Sequence, residues 1–292
     1  MNRKTTIVLS VILFLLALGM TLYPVISVYV NQKYASEIHT EYEEVISQTD
    51  DTALQQARAL AIAYNESIVP GTAEESAYSQ EALTEASQDY EQQLNIAGNG
   101  IMGYVKIPKI NVNLPIYHGT EADSLDRGIG HLLGSSLPVG GMDTHSILTA
   151  HSGMASQKMF TDLEQLEVGD VFYLNVLNEI LAYEVSTINT VLPHDTSLLG
   201  IEPGKDICTL VTCTPYGVNS HRLLVTGSRI SYEEAEVIEE AMEAEESEGS
   251  AWMQQYLKGI LYGILAVLLV IAVIWILSAL GNHNEGGHYA EK

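Results

Sequence analysis

Ile207-Cys208-Thr209-Leu210-Val211-Thr212-Cys213 is an apolar, β-branched run that ends on a cysteine. Thr214-Pro215-Tyr216-Gly217 then breaks the chain, and a second strand-like run follows from His221 to Ile230. A thiol at a strand end, beside a loop, is held rigidly and still reached by a substrate. A cysteine nucleophile also needs a base or cation that favours its thiolate, and a donor for the oxyanion it creates. His151, well upstream, and Arg222, nine residues after Cys213, could supply those roles.

Working outward, the texture from Gly100 to Ile230 is that of short strands separated by Gly, Pro, Asn or Asp turns. Eight candidates stand out: Ile101–Ile107, Val112–Tyr117, Gly130–Gly134, His145–Ala150, Val171–Val176, Ile180–Val191, Ile207–Cys213 and His221–Ile230. Eight short strands predict a mainly β fold, a closed barrel or a sandwich. One short helix is expected over Met159–Leu166, with Phe160, Leu163 and Leu166 on its apolar face. Before the barrel, Leu54, Ala57, Ala61, Tyr64 and Ile68 recur at helical spacing behind a capping box at Thr52 to Gln55, and Pro70-Gly71 stops that helix. A second helical stretch is expected from Gln80 to Leu94.

Three segments together resemble the sortases, the cell-surface transpeptidases of Gram-positive bacteria. They are Leu148-Thr149-Ala150-His151-Ser152-Gly153, the TLxTC-type run Thr209 to Cys213, and Ser220-His221-Arg222-Leu223-Leu224-Val225. The flanks Asn99-Gly100-Ile101-Met102-Gly103-Tyr104 and Thr212-Cys213-Thr214-Pro215-Tyr216 look most like class C, the pilus-building sortases. The resemblance implies an eight-stranded sortase-type β-barrel, with Cys213 as nucleophile, His151 as the proton-transfer group and Arg222 as holder of the oxyanion or of the substrate backbone. It also implies cleavage of an LPxTG-like sorting signal and transfer of the acyl group to an amine of another surface protein. Two positions depart from the class pattern: Ser152 follows the histidine, and the Asp-Pro-aromatic lid motif is missing, since Pro70 is preceded by Val69. A polar segment such as Pro70–Ser79 has few apolar contacts to hold it down, so Cys213 is expected to be open or only weakly covered.

Rival readings exist for each residue. Cys208 and Cys213 are an odd number of positions apart, so on one strand they face opposite sides, and five residues of strand span ~16 Å, beyond disulfide reach. Cys208 is then a buried apolar filler and Cys213 a free thiol. The rivals of His151 are His145, at the other end of the same strand, and His221, which strand parity turns away from Arg222. Thr212 could help hold an oxyanion or simply be a good strand residue. No spacing of Cys, His or carboxylates suggests zinc, no acidic loop suggests calcium, and no Gly-rich loop suggests a nucleotide. No cofactor is therefore expected.

The 292 residues carry a net charge of −24, with nine glutamates and no Lys or Arg between Ser231 and Ser250. That stretch reads as a solvated stalk. No basic patch points to nucleic acid as a partner. Thr5–Gln32 and Gly259–Gly281 are apolar and long enough for the ~20 residues that a membrane-spanning helix needs. The first could also be a signal peptide, with Ala17-Leu18-Gly19 as a small-x-small site, but apolar sequence continues to Val30 and favours an uncleaved anchor. Arg3 and Lys4 place the N-terminus in the cytoplasm, which puts the barrel outside. The expected organisation is a cytoplasmic tail (1–5), a transmembrane helix or signal anchor (6–30), a helical N-terminal region with a possible lid (31–97) and the catalytic barrel (98–231). An acidic linker (232–255), a second transmembrane helix (256–281) and a cytoplasmic tail (282–292) complete it. The expected partners are LPxTG-bearing proteins or pilins, an amine acceptor (a pilin lysine or cell-wall precursor) and the membrane. A housekeeping anchoring sortase, a hydrolytic cysteine peptidase and a non-catalytic surface scaffold are the alternatives.

Overall fold

The computed structural model describes residues 3–68, 89–152 and 157–241, and Tyr262. Eight strands close into a barrel: β1 (Ile101–Ile107), β2 (Val112–His118), β3 (Ile129–His131), β4 (Thr144–Thr149), β5 (Val171–Val176), β6 (Glu179–Val191), β7 (Asp206–Thr214) and β8 (His221–Ile230). Their order around the barrel is β1-β2-β3-β4-β7-β8-β6-β5. Two neighbouring pairs are parallel, β2 with β3 and β4 with β7, and the others are antiparallel. All eight expected strands are present, with ends shifted by up to three residues.

The barrel core is built from alternating positions. Cys208, Leu210, Leu223 and Val225 join Phe172, Tyr183 and Leu148 in the main apolar cluster. Val211, Leu224 and Ile147 belong instead to a smaller cluster on the other face, with Leu199. Phe172 and Tyr183 stack with ring centroids 5.5 Å apart. Gly227 makes this possible: a Cβ there would lie 2.5 Å from the Phe172 ring.

Helices flank this barrel. The first, α1 (Arg3–Gln48), reaches the barrel through Tyr42, whose hydroxyl donates to the Met102 carbonyl at 3.2 Å and accepts from the Leu177 amide at 3.1 Å. The second, α2 (Asp51–Ser67), is fixed by Asn65, which donates to the Leu137 carbonyl and accepts from the Leu137 amide. This helix starts one residue before Thr52 with Asp50 as N-cap and no side-chain cap bond, so the expected capping box does not form. A reciprocal box does form at Ser231 and Glu234, where the backbone amide of each bonds the side chain of the other, and a helix follows over 232–241. The expected helix Met159–Leu166 is replaced by turns and one 3-10 turn, Leu163–Gln165, because Met159 takes a positive φ of 44°. Of the stretch Gln80–Leu94, the residues from 89 on are described, and 89–92 are helical.

The chain divides into two compact units, Met1–Glu239 and Glu240–Lys292. Most of the second, with the predicted span 256–281 and most of the acidic linker, lies outside the described residues, as does Pro70–Ser79. The backbone of 6–30 is helical as part of α1. Among the described residues, no helix is long and apolar enough to cross a membrane.

Tyr90 links the N-terminal region to a buried histidine. Its hydroxyl lies 2.9 Å from Nδ1 of His131, while Nε2 of His131 lies 2.9 Å from the Ser136 carbonyl. A carbonyl only accepts, so Nε2 carries the proton, and the unprotonated Nδ1 faces the Tyr90 hydroxyl, which also lies 3.0 Å from the His131 carbonyl. Burial pushes the His131 pKa down to about 4. The unfolded chain keeps the ordinary value of about 6.5 and so binds this proton first on acidification. Stability contributed by neutral His131 is complete above about pH 6.5 and is lost as pH falls toward 4. The full effect is ~3 kcal/mol at ~1.4 kcal/mol per unit. Burial lowers His118 and His145 as well, which steepens the same slope. Urea unfolding at pH 7 and pH 5 should show roughly half of this loss, since pH 5 lies inside the 6.5-to-4 window, and His131→Gln should flatten it. An unchanged slope in that variant would remove His131 as the source.

Candidate active site

The site is set by strand register. β4 and β7 run parallel with Ile147 opposite Thr209 and Thr149 opposite Val211. β7 and β8 run antiparallel with Thr209 opposite Thr226, Val211 opposite Leu224 and Cys213 opposite Arg222. Register partners point to the same face of a sheet. Continued two residues past Thr149, where β4 ends, the same register would bring His151 level with Cys213. The Ala150 amide keeps that register by donating to the Val211 carbonyl at 3.1 Å. Cys213 and Arg222 thus stand opposite each other on adjacent strands, on the face occupied lower down by Ile147, Val211 and Leu224, and His151, two residues past the end of β4, joins their row by continuation of the β4 register.

Cys213 is half-buried and unpaired. Arg222 sends one guanidinium nitrogen, Nη1, back to the His221 carbonyl at 3.1 Å and the Asn219 carbonyl at 3.4 Å. It therefore holds the loop that follows Cys213 and retains further N–H groups for a ligand. The His151 carbonyl accepts from the Phe160 amide at 3.1 Å, which closes the histidine loop back onto its start. His151 Nε2 lies 3.7 Å from a carboxylate oxygen of Asp126. Asp126 sits on α3 (Ala122–Arg127), a six-residue helix between β2 and β3.

The rivals occupy other places. His145 is buried, with Nδ1 2.7 Å from the Gly200 carbonyl and Nε2 2.7 Å from the Thr209 hydroxyl, so it pins the β6–β7 loop to the barrel. His221 pairs with Thr214 in register and contacts Ser220. Thr212 is buried, and its hydroxyl donates to the Ala150 carbonyl at 2.8 Å, which fastens β7 to the residue before His151 rather than offering a donor to substrate. Cys208 is wholly buried in the main core, and burial pushes its thiol well above the ordinary range. The thiol expected on the opposite face is there. A cleft of about 530 Å³, lined by Arg58, Asn65, Glu66 and Asp143 among others, opens beside Thr144. That is where β4 begins, the barrel end away from Cys213. Among the described residues, no three His, Cys, Asp or Glu side chains are grouped to hold a metal ion.

Comparison with known proteins points one way. Residues 105–230 match the sortase domain family. Sortase D of Bacillus subtilis is 32% identical over 132 residues, which cover 44% of this chain and 64% of the relative. The chain thus spans less than two thirds of that curated relative's length. Sortase C-1 from Actinomyces oris is 46% identical with a TM-score of 0.57, and the match covers 61% of this chain and 99% of that one. A Streptococcus pneumoniae sortase C, solved for insight into catalysis and pilin substrate specificity, is 40% identical with a TM-score of 0.59 and shares of 67% and 97%. The family match and these neighbours define the class as a sortase domain. This chain belongs to the sortase family, and its place there is near class C.

Proposed function

We propose that this protein is a membrane-anchored sortase that cleaves an LPxTG-like signal between Thr and Gly and joins the acyl group to an amine of another surface protein, with pilin polymerisation as its role. What supports this reading is that Cys213 lies opposite Arg222 in the sheet, with His151 in the same row on the continued register of β4. The Cys213 thiolate attacks the Thr carbonyl, and Arg222 holds the oxyanion or the substrate backbone with its free N–H groups. His151 gives a proton to the departing glycine amine, leaving a thioester on Cys213. An incoming amine then attacks the thioester, and His151 takes its proton. The pilin role draws support from the class C neighbours, one of them studied for pilin specificity.

The test is product analysis with an LPxTG-containing peptide. A thioester on Cys213 should be seen by mass spectrometry, and an amide product should appear only with an amine acceptor. Hydrolysis alone, whatever the amine concentration, would favour the peptidase reading. Transfer to a cell-wall precursor amine but never to a pilin lysine would favour the anchoring reading.

The anchor is part of the proposal. The apolar runs within 6–30 and 256–281 would be two spans, with the barrel outside the cell. In a chain lacking Cys208 and Cys213, single cysteines placed within 231–250 should react on intact cells with an impermeant thiol reagent. Cysteines placed near Glu285 should not react, and the reverse pattern would overturn this topology.

A further inference from the structure

A lysine acceptor reaches a sortase thioester as a cation. Its ammonium has a pKa of about 10.4, so nearly every acceptor is charged at neutral pH. His151 can take a proton from it but, as a neutral imidazole, offers it no charge attraction. Asp126 does. Its carboxylate is 3.7 Å from His151 Nε2 and its side chain is 64% exposed, against 38% for His151. The carboxylate therefore borders the imidazole while remaining open to solvent.

The surroundings fix the helix that carries this carboxylate and, among the described residues, give it no Lys or Arg partner. The Asp126 carbonyl accepts from the Gln157 side chain at 3.1 Å, which ties α3 to the far end of the histidine loop. Ser124 on the same helix donates to the His118 carbonyl at 2.7 Å and fixes it to the end of β2. The neighbouring cation, Arg127, lies over the Tyr117 ring at 4.2 Å and pairs with Asp123. Among the described residues, the ion-pair partner of Asp126 is His151.

We propose that Asp126 is a specificity-determining residue that receives the cationic amine acceptor beside His151. The inference rests on the row of His151, Cys213 and Arg222 being the site. The acceptor ammonium meets the Asp126 carboxylate and gives one proton to His151. The freed nitrogen lone pair adds to the thioester carbonyl, and the C–S bond breaks, releasing the Cys213 thiolate. The excess proton on nitrogen passes to that thiolate, so that a neutral amide and a thiol result and His151 ends protonated. Asp126 takes no proton in this sequence. It raises the local concentration of a cation, an effect that salt screens.

The experiment compares two acceptors on the full-length enzyme, a lysine-containing peptide and hydroxylamine, which is uncharged at pH 7.5. The readout is the ratio of transfer to the two at subsaturating concentration. Asp126→Asn should lower this ratio by about fivefold, Asp126→Lys should lower it further, and raising the salt should shrink the ratio in the wild type more than in the variants. An equal ratio in all three proteins, with transfer intact, would overturn the role of Asp126 and leave the site standing. A wild-type enzyme that forms no thioester on Cys213, or a His151→Ala variant that transfers normally, would overturn the site itself and the inference with it.

Discussion

Cys213→Ala should abolish thioester formation and lower transfer by ~10⁴-fold or more, because no other group in the row can carry the acyl chain. His151 and Arg222 would then face a methyl group, and neither replaces a sulfur nucleophile. The fold should survive. Cys213 is half-buried at the end of β7, and its backbone pairing with β8 does not depend on its side chain. The control is Cys208→Ala, which removes a wholly buried sulfur from the main core. That variant should lose ~1–2 kcal/mol of stability to the small cavity and keep its activity. Intact-mass spectrometry after exposure to an LPxTG-containing peptide reads both. An acyl adduct on the Cys213→Ala protein would end the assignment of Cys213. Loss of the adduct in folded Cys208→Ala protein would mean that the two thiols are not separated by the barrel wall as the strand register requires.

Period-2 alternation alone places Cys208 and Cys213 on opposite faces, and Arg222 apart from His221, because both pairs are an odd number of residues apart. The barrel obeys that parity: Cys208 packs with Leu210 inside, and Cys213 shares its face with Val211. What parity does not give is which strand lies beside β7. β8 follows through a short loop, so its pairing is written in the local turn. β4 is a parallel neighbour some sixty residues upstream, and nothing local encodes that contact. His151 could be named from its motif, but its level with Cys213 comes only from this long-range register.

The misses have local causes. The helix expected over Met159–Leu166 had apolar spacing but needed a backbone at Met159 that the chain does not adopt. The capping pattern at Thr52 was one residue inside a helix that begins earlier, whereas the pattern at Ser231 and Glu234 closes correctly. Asp126 left no periodic signal, since α3 has only six residues and none is buried. Its importance lies in a neighbour, His151, that the sequence places 25 positions away. Thr212 reads equally well as a strand residue or a donor, and only the bond to Ala150 decides it.

Arg222→Lys should cost ~10²–10³-fold in the rate of thioester formation, the usual loss when one oxyanion donor is removed. Charge is kept in this variant, so the effect isolates geometry. The guanidinium has a planar fork of five N–H donors, and here Nη1 is engaged by the carbonyls of Asn219 and His221. The remaining N–H groups stay directed by that anchoring. A lysine ammonium offers one nitrogen on a flexible stem and must choose between the loop carbonyls and the oxyanion. It therefore loses either the loop that follows Cys213 or the ligand. The two losses differ in measurement. Loss of the oxyanion contact lowers the single-turnover acylation rate at saturating peptide, whereas loss of the loop alone raises the peptide concentration needed and leaves the saturated rate. The expected result is a fall in the saturated rate. Near-wild-type acylation by Arg222→Lys at saturation would show that this position supplies only charge, or stands outside the reaction, even though it lies opposite Cys213 in the sheet.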